Sequence, residues 1–304
     1  TVVSPNPENP EGFALAVELA KKNRCDLIVG SDPDADRVGV MVRNAQGEYE
    51  VLSGNQTGVL LLDYLIGAKK RAGTLGEDAY ALTTIVSTQM VDKICAVNHI
   101  HTARTFTGFK FLAEKKDALE GAGQGKVFFA FEESFGYMLG DYVRDKDAVT
   151  AIVLIAEMAA WYASQDKTLY DALQECYAKY GHYGESTINL VMPGLDGMRD
   201  MAAIMEQLHK VPLTEVAGTA VTAQKDYLSG TVTDPATGVV TPMELKDSNV
   251  VAYDLADGTT FIIRPSGTEP KIKVYVLTHG ASQAECTEKL AKYTAFADVI
   301  KTMA

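Results

Sequence analysis

The chain has 304 residues, with 28 Lys+Arg against 40 Asp+Glu, a formal net charge of −12, and 47% apolar and 22% charged residues. That is the balance of an ordinary globular protein long enough for about two domains with cores of their own. An acidic chain without a Lys/Arg-rich block argues against nucleic acid or an anionic membrane as partner, and no apolar run approaches the ~18 residues of a membrane span.

In chain order, helical spacing over 11–23 (Phe13, Val17, Ala20) leads to a short apolar strand at 25–30, an Asp-rich loop and a second strand at 37–43. The pattern then predicts a helix over 57–70, a strand over 80–86, a helix over 89–98, a strand over 100–106, a helix over 109–119, a buried strand over 126–131, and helices over 147–164 and 169–179. Strands alternating with helices mark a layered α/β sheet, largely parallel. The glycine-rich stretch 121–126 precedes a strand where a phosphate loop would follow one, so it reads as a connection. Residues 180–186 read as a linker. Beyond it come a strand at 187–192, a helix at 197–210, and strands at 250–254 and 259–264 flanking Asp257-Gly258, a type I′ hairpin signal. An alternating run at 271–278 and a helix at 283–300 close the chain. The expected fold is α/β, mixed or parallel sheet layers flanked by helices, followed by a smaller α+β C-terminal domain. Four scattered cysteines (Cys25, Cys95, Cys176, Cys286) without a Cys-x-x-Cys pair read as reduced core thiols of a cytoplasmic protein. Thr1 stands where no Met or signal peptide does, so the chain is expected to start inside a longer gene product.

Three loops carry chemistry. Gly30-Ser-Asp32-Pro-Asp34-Ala-Asp36-Arg37 places three carboxylates at alternate positions between two strands. They would repel one another unless a cation binds them, and hard oxygen ligands in that number suit Mg²⁺. An EF-hand is excluded by Arg37 at its sixth position and Arg43 at its twelfth. The same residues fit Asp-x-Asp-x-Val, in which Asp34 would be a phosphatase nucleophile and Asp36 its general acid; the strand ends at Gly30, however, which puts Asp32 at that position. Next, Glu132-Glu133-Ser134-Phe135-Gly136 follows the buried strand, where open α/β sheets bind ligands, and Glu132 and Ser134 can accept from sugar hydroxyls. Arg144 and Lys146 follow, two cations placed to meet a phosphate, and Thr107-Gly108 forms a strand-to-helix turn with an open helix N-terminus. Last, Arg264-Pro-Ser266-Gly267-Thr268-Glu269-Pro270 offers a guanidinium fork, two hydroxyls and a turn that can surround an anion. His99 and His101, sharing a strand face, read as structural, and Trp161 with nearby Met residues, at helical spacing, as core.

Asp-Pro-Asp-Ala-Asp-Arg (32–37), Thr-Gly-Phe-Lys (107–110), Glu-Glu-Ser-Phe-Gly (132–136) and Arg-Pro-Ser-Gly-Thr-Glu-Pro (264–270), in this order, resemble the α-D-phosphohexomutase family, most of all its bacterial phosphoglucomutase members. The resemblance spans essentially the whole chain. It implies the end of a second domain over 1–42, a third α/β domain over 43–180 and a fourth α+β domain over 181–304. It also implies Asp32, Asp34 and Asp36 as Mg²⁺ ligands with Arg37 beside them, and Glu132 and Ser134 on the sugar. Thr107, Gly108, Arg144 and Lys146 complete the specificity side, Lys146 as proton donor or acceptor, and Arg264, Ser266, Gly267 and Thr268 hold the phosphate not being transferred. The implied reaction interconverts glucose 1-phosphate and glucose 6-phosphate through a phosphoserine and glucose 1,6-bisphosphate; phosphomannomutase and phosphopentomutase activities stay open. The family's phosphoserine motif, Thr-Ala-Ser-His-Asn-Pro, does not occur in 1–304, and Ser4-Pro5-Asn6-Pro7 matches the Pro-rich loop of the second domain better. The missing N-terminal domains of the same polypeptide are therefore the implied partner. The chain alone is expected to be inactive, a phosphosugar-binding module at most.

Overall fold

In the computed structural model, which describes residues 2, 4–194, 196–267 and 269–303, the chain divides into two units, Thr1–Tyr180 and Gly181–Ala304. The first begins with a 3-10 turn and α1 (Ala14–Asn23), followed by β1 (Leu27–Ser31), β2 (Val38–Arg43) and β3 (Tyr49–Leu52) in the order β1-β2-β3. Side-chain alternation decides which face is which. Ile28 and Met41 pack with Phe13 and Ala20 under α1, while Val38, Val40 and Val42 point the other way and are fully buried. Both ladders are antiparallel, against the expectation of a largely parallel sheet. The connections 32–37 and 44–48 are too short for the crossover of a dozen or more residues that a parallel pair needs.

A capping box, Ser53 with Gln56, opens α2 (Gly54–Ala72). Then follow β4 (Ala79–Thr84), α3 (Met90–Asn98), β5 (His101–Thr105), α4 (Phe109–Gly121), β6 (Lys126–Glu132), β7 (Gly136–Leu139), α5 (Ala148–Ala163) and α6 (Leu169–Tyr180). The sheet order is β5-β4-β6-β7, with β5, β4 and β6 parallel and β7 an antiparallel edge. Leu82, Phe109, Leu112, Val127 and Ala130 pack the α4 face, and Gly58 lets α2 settle onto the Phe131 ring on the other. The parallel strands end together at Thr84, Thr105 and Glu132, so the loops that follow share one edge, the crevice where α/β sheets bind ligands.

The second unit comprises β8 (His182–Val191), α7 (Gly197–Lys210), β9 (Glu215–Val216), β10 (Thr219–Asp226), β11 (Thr231–Thr233), β12 (Val240–Pro242), β13 (Val251–Leu255), β14 (Thr260–Pro265), β15 (Lys271–Gly280) and α8 (Gln283–Ile300). Its antiparallel sheet runs β12-β11-β10-β13-β14-β15-β8, with β9 on β10, and Met205, Tyr253, Phe261, Val274 and Tyr293 lie in its core. The expected linker shrinks to Gly181, at φ 99°, because β8 begins at His182 to pair along the whole of β15. The 255–259 turn is not type I′: among its residues only Gly258 has positive φ (82°), giving a three-residue loop with Gly258 at the bulge. Asp257 instead accepts from Tyr293 Oη (2.7 Å) and Thr259 N (3.0 Å).

Three smaller expectations also change. His99 is the left-handed C-cap of α3 rather than a strand residue, while His101 stacks on Tyr80. Trp161 is 37% exposed, its ring covered by the Arg71 guanidinium 3.9 Å from the centroid. Cys25 is exposed, whereas the other three free thiols are buried. Among the described residues no helix is long and apolar enough to cross a membrane.

Candidate functional site

The β1–β2 hairpin dictates the Asp loop. Ser31 pairs with Val38, so residues 32–37 must turn within one tight connection. Asp32 folds that connection around its own carboxylate: its Oδ1 accepts from the backbone N–H groups of Asp36 and Arg37, both at 3.1 Å. Burial opposes the charge on Asp32, but those two donors, together with the side chains of Asp36 and Asp34, outweigh it and hold the carboxyl below the usual carboxylate range. Oxygens of Asp32, Asp34 and Asp36 all lie within 4.8 Å of one another. Arg37 lies beside them, its Nε 4.0 Å from Asp32 and 3.8 Å from Asp36.

Backbone hydrogen bonds stitch this loop to the Glu132–Gly136 loop. Val38 N donates to Phe135 O at 3.1 Å and Arg37 bridges Gly136, while Ala148 N, at the start of α5, donates to Ala35 O at 3.0 Å. Ala35 and Phe135 are non-glycine residues at positive φ (56° and 67°), and each supplies the carbonyl that the facing element binds. Their strain is thus held in place by the joint itself.

Glu132 closes the other side. It is 7% exposed, and its Oε1 accepts from Gly108 N at 2.6 Å, which ties the end of β6 to the start of α4. Burial, with the neighbouring charge of Glu133 adding to it, pushes its pKa up to about 7, against the pull of Gly108 N–H, Lys146 and Arg37. Since the folded value lies above the ordinary 4.5, ionised Glu132 costs the fold nothing below about pH 4.5 and an amount that grows up to about pH 7 and levels off above it. Glu132→Gln is therefore expected to stabilise the metal-free protein at pH 8, by at most about 3 kcal/mol, with the gain fading towards pH 5. Urea melts at the two pH values check this; an effect independent of pH would contradict it.

The remaining expected residues divide. Lys146 joins the Asp loop, its Nζ 2.8 Å from Asp36 Oδ2 and 3.3 Å from Asp145 Oδ1. Burial works against its charge, but these contacts hold the ammonium above the usual lysine range. Arg144 does not join, because its exposed guanidinium pairs with Asp117 at 2.8–2.9 Å. Asp147, between strand and helix, caps α5. Thr107 and Ser134 lie half-buried in their turns, beside Gly108 and Glu132 respectively.

In the second unit, Arg264 is the penultimate residue of β14 and Ser266 N closes the turn onto Lys271 O at 2.8 Å. Thr268 lies outside the described residues. Gly267 is exposed and does not adopt positive φ, and a Cβ there would meet nothing within 4 Å, so the turn itself does not demand glycine. Lys273 pairs directly opposite Arg264, so two like charges stand side by side across the ladder, a costly arrangement without an anion.

Sequence reasoning did not find Lys273, nor the support behind Glu133. Glu133 Oε2 accepts from Thr84 Oγ1 (3.1 Å) and Ser87 Oγ (3.3 Å). Arg104 pins the same turn by donating to the carbonyls of Thr84, Ser87 and Thr88 at 2.8–3.0 Å. Only the register of Arg264 against an alternating strand could have signalled Lys273; the Arg104 network has no local signature.

The Asp loop fits a small divalent cation. Three hard oxygens converge, Asp36 Oδ1 is buried without a hydrogen bond, and an ammonium already stands against the same carboxylate. The loop connects antiparallel strands rather than ending a parallel one, which gives the phosphatase reading no support.

Three domain models of one family match in succession: phosphoglucomutase/phosphomannomutase alpha/beta/alpha domain II over 1–47, alpha/beta/alpha domain III over 53–180 and the C-terminal domain over 188–293. A phosphoglucomutase of Staphylococcus aureus is 36% identical over 276 residues, 91% of this chain and 49% of that protein. The chain thus spans about half the length of the curated relatives it matches. Among solved structures, the parafusin phosphoglucomutase of Paramecium in its open form aligns with a TM-score of 0.64 at 18% identity, covering 99% of this chain and 51% of that one. The N-acetylphosphoglucosamine mutase of Aspergillus fumigatus, in complex with GlcNAc-6P and magnesium, aligns at 0.52 and 13% identity, covering 94% and 52%.

Proposed function

Because this chain belongs to the phosphoglucomutase/phosphomannomutase family, we propose that it supplies the metal, sugar and phosphate loops of an enzyme that interconverts glucose 1-phosphate and glucose 6-phosphate. The observation that carries this reading is the Asp32/Asp34/Asp36 cluster joined by backbone hydrogen bonds to the loop of Glu132 and Ser134. In the proposed division of labour, the N-terminal domains of the same polypeptide bring the phosphoserine. Asp32, Asp34 and Asp36 hold Mg²⁺, which when bound neutralises charge on the phosphoryl group in transit. Arg37 adds a second positive charge at the loop. Glu132 and Ser134 take the sugar hydroxyls, with Thr107 and Gly108 on the same edge of the sheet. Lys146 moves the proton of the reacting hydroxyl, and glucose 1,6-bisphosphate serves as intermediate and activator.

Arg264, Ser266, Gly267 and Thr268, with Lys273 added, hold the phosphate that stays in place. A fork donor beside an ammonium suits a dianion, and Gly267 keeps the rim of the loop open for close approach. Isomerisation with turnover of a bisphosphate needs two phosphate grips where a phosphatase needs one. In the complete polypeptide, Arg264→Met is expected to raise KM for glucose 1-phosphate about 10- to 100-fold while kcat changes only a few-fold. Steady-state kinetics decide it, and an unchanged KM would remove Arg264 from the grip. The chain alone is expected to bind phosphosugar weakly and to turn nothing over.

A further inference from the structure

The Asp loop already holds a cation, and it is a side chain. The stem of Lys146 runs past Gly136, where an added Cβ would come within 2.7 Å of Lys146 Cδ, and its Nζ stands 5.5 Å from the centre of the Phe109 ring. That packing delivers the ammonium to Asp36 Oδ2 at 2.8 Å, with 16% of the side chain exposed. The other oxygen of Asp36 is buried without a hydrogen bond, and Arg37 Nε stays 3.8 Å from it. Asp36 is also one of the three carboxylates whose oxygens converge within 4.8 Å. An ammonium on one oxygen of Asp36 and a divalent cation on the other would stand only a few ångström apart, and at so short a separation, in a half-buried loop, their charges repel.

We propose that Lys146 is the resident counter-charge of the Asp loop, and that loading a divalent cation displaces its ammonium from Asp36, so that Lys146 becomes available to substrate only in the loaded protein. The contact would make metal occupancy a precondition for the proton-transfer role, with Asp145, 3.3 Å away, keeping the freed lysine nearby. The inference rests on Asp32, Asp34 and Asp36 being metal ligands.

The test uses Mn²⁺ alone as probe, titrated into the chain and followed by calorimetry and by electron paramagnetic resonance. Lys146→Met keeps the stem and removes the charge; Lys146→Arg keeps the charge. Lys146→Met is expected to bind Mn²⁺ about tenfold more tightly than the unaltered chain, and Lys146→Arg within about threefold of it. With ¹⁵N-labelled lysine and diamagnetic Mg²⁺, the Lys146 Nζ resonance is expected to shift in step with occupancy. Equal affinity in all three proteins, or weaker binding by Lys146→Met, would overturn the proposal while leaving the metal site intact. No Mn²⁺ binding, or an affinity that Asp34→Asn leaves unchanged, would overturn the metal reading and this inference with it.

Discussion

If the complete polypeptide isomerises glucose 1-phosphate as proposed, Asp34→Asn is expected to lower kcat about a thousandfold and to change KM by less than about threefold. Asp34 is the clean choice among the three carboxylates. Asp32 organises the hairpin by accepting the amides of Asp36 and Arg37, and Asp36 pairs with Lys146. Asp34 carries neither duty and is exposed at the loop tip, so its neutralisation is expected to leave the hairpin intact and to subtract a proposed metal ligand. A ligand that acts mainly on charge developing in the transition state reports in kcat rather than in KM. Kinetics at saturating Mg²⁺, with a thermal melt to show the fold unchanged, check the result. A variant within tenfold of the parent, with unchanged Mg²⁺ dependence, would take Asp34 out of the ligand set.

Gly54→Val has the largest expected effect on stability. Gly54 is the first residue of α2 and lies against the backbone of the Glu132–Gly136 loop. A Cβ there would overlap the carbonyl oxygen of Glu133 and come within 2.7 Å of its carbonyl carbon and 2.8 Å of Phe135 N. None of these is the end of a flexible side chain, so either the helix start or the loop must move. The carbonyl of Gly54 also accepts from the fully buried Tyr137 hydroxyl at 3.3 Å, which resists movement of the helix. A loss of about 3 kcal/mol, about 10 °C in melting temperature, is expected. Because Glu132 and Ser134 flank the displaced peptide, KM for the sugar phosphate rises in the complete polypeptide as well. Melting within about 2 °C of the parent would show that the helix start yields freely.

Much of the fold was legible because apolar spacing marks the helix at 197–210 and the Ser282 cap marks the start of the one at 283–300. The helices at 197–210 and 283–300 stand where the pattern places them, as does the strand after the glycine-rich connection at 121–126. What was not legible is short or tertiary. β3 and β7 have four residues each, too few for alternation to register, and both are sheet edges whose existence depends on a neighbour. The antiparallel first sheet follows from its connection lengths, information that the alternation of helices and strands masked. At the candidate site, the loops stand out in the sequence because carboxylates, glycine and hydroxyls crowd between apolar strands. Side-chain partners do not. Arg144 and Lys146 are two residues apart and look equivalent, yet one turns outward to Asp117 and the other inward to Asp36. The strained carbonyls of Ala35 and Phe135, which tie the Asp loop to the start of α5 and to the Glu132–Gly136 loop, have no residue-type signature, since left-handed backbone ordinarily announces itself with glycine or asparagine.

The central claim is that this chain carries the metal and sugar loops of a phosphohexomutase. Its most direct test is a coupled assay of the complete polypeptide converting glucose 1-phosphate to glucose 6-phosphate, with Mg²⁺ and a trace of glucose 1,6-bisphosphate. Inorganic phosphate is followed in parallel, and residues 1–304 are assayed alone. The predicted result is isomerisation by the complete protein that chelation abolishes, no turnover by the shorter chain, and no phosphate release by either. Stoichiometric release of inorganic phosphate without isomerisation would contradict the account and return Asp34 and Asp36 to the roles of nucleophile and acid.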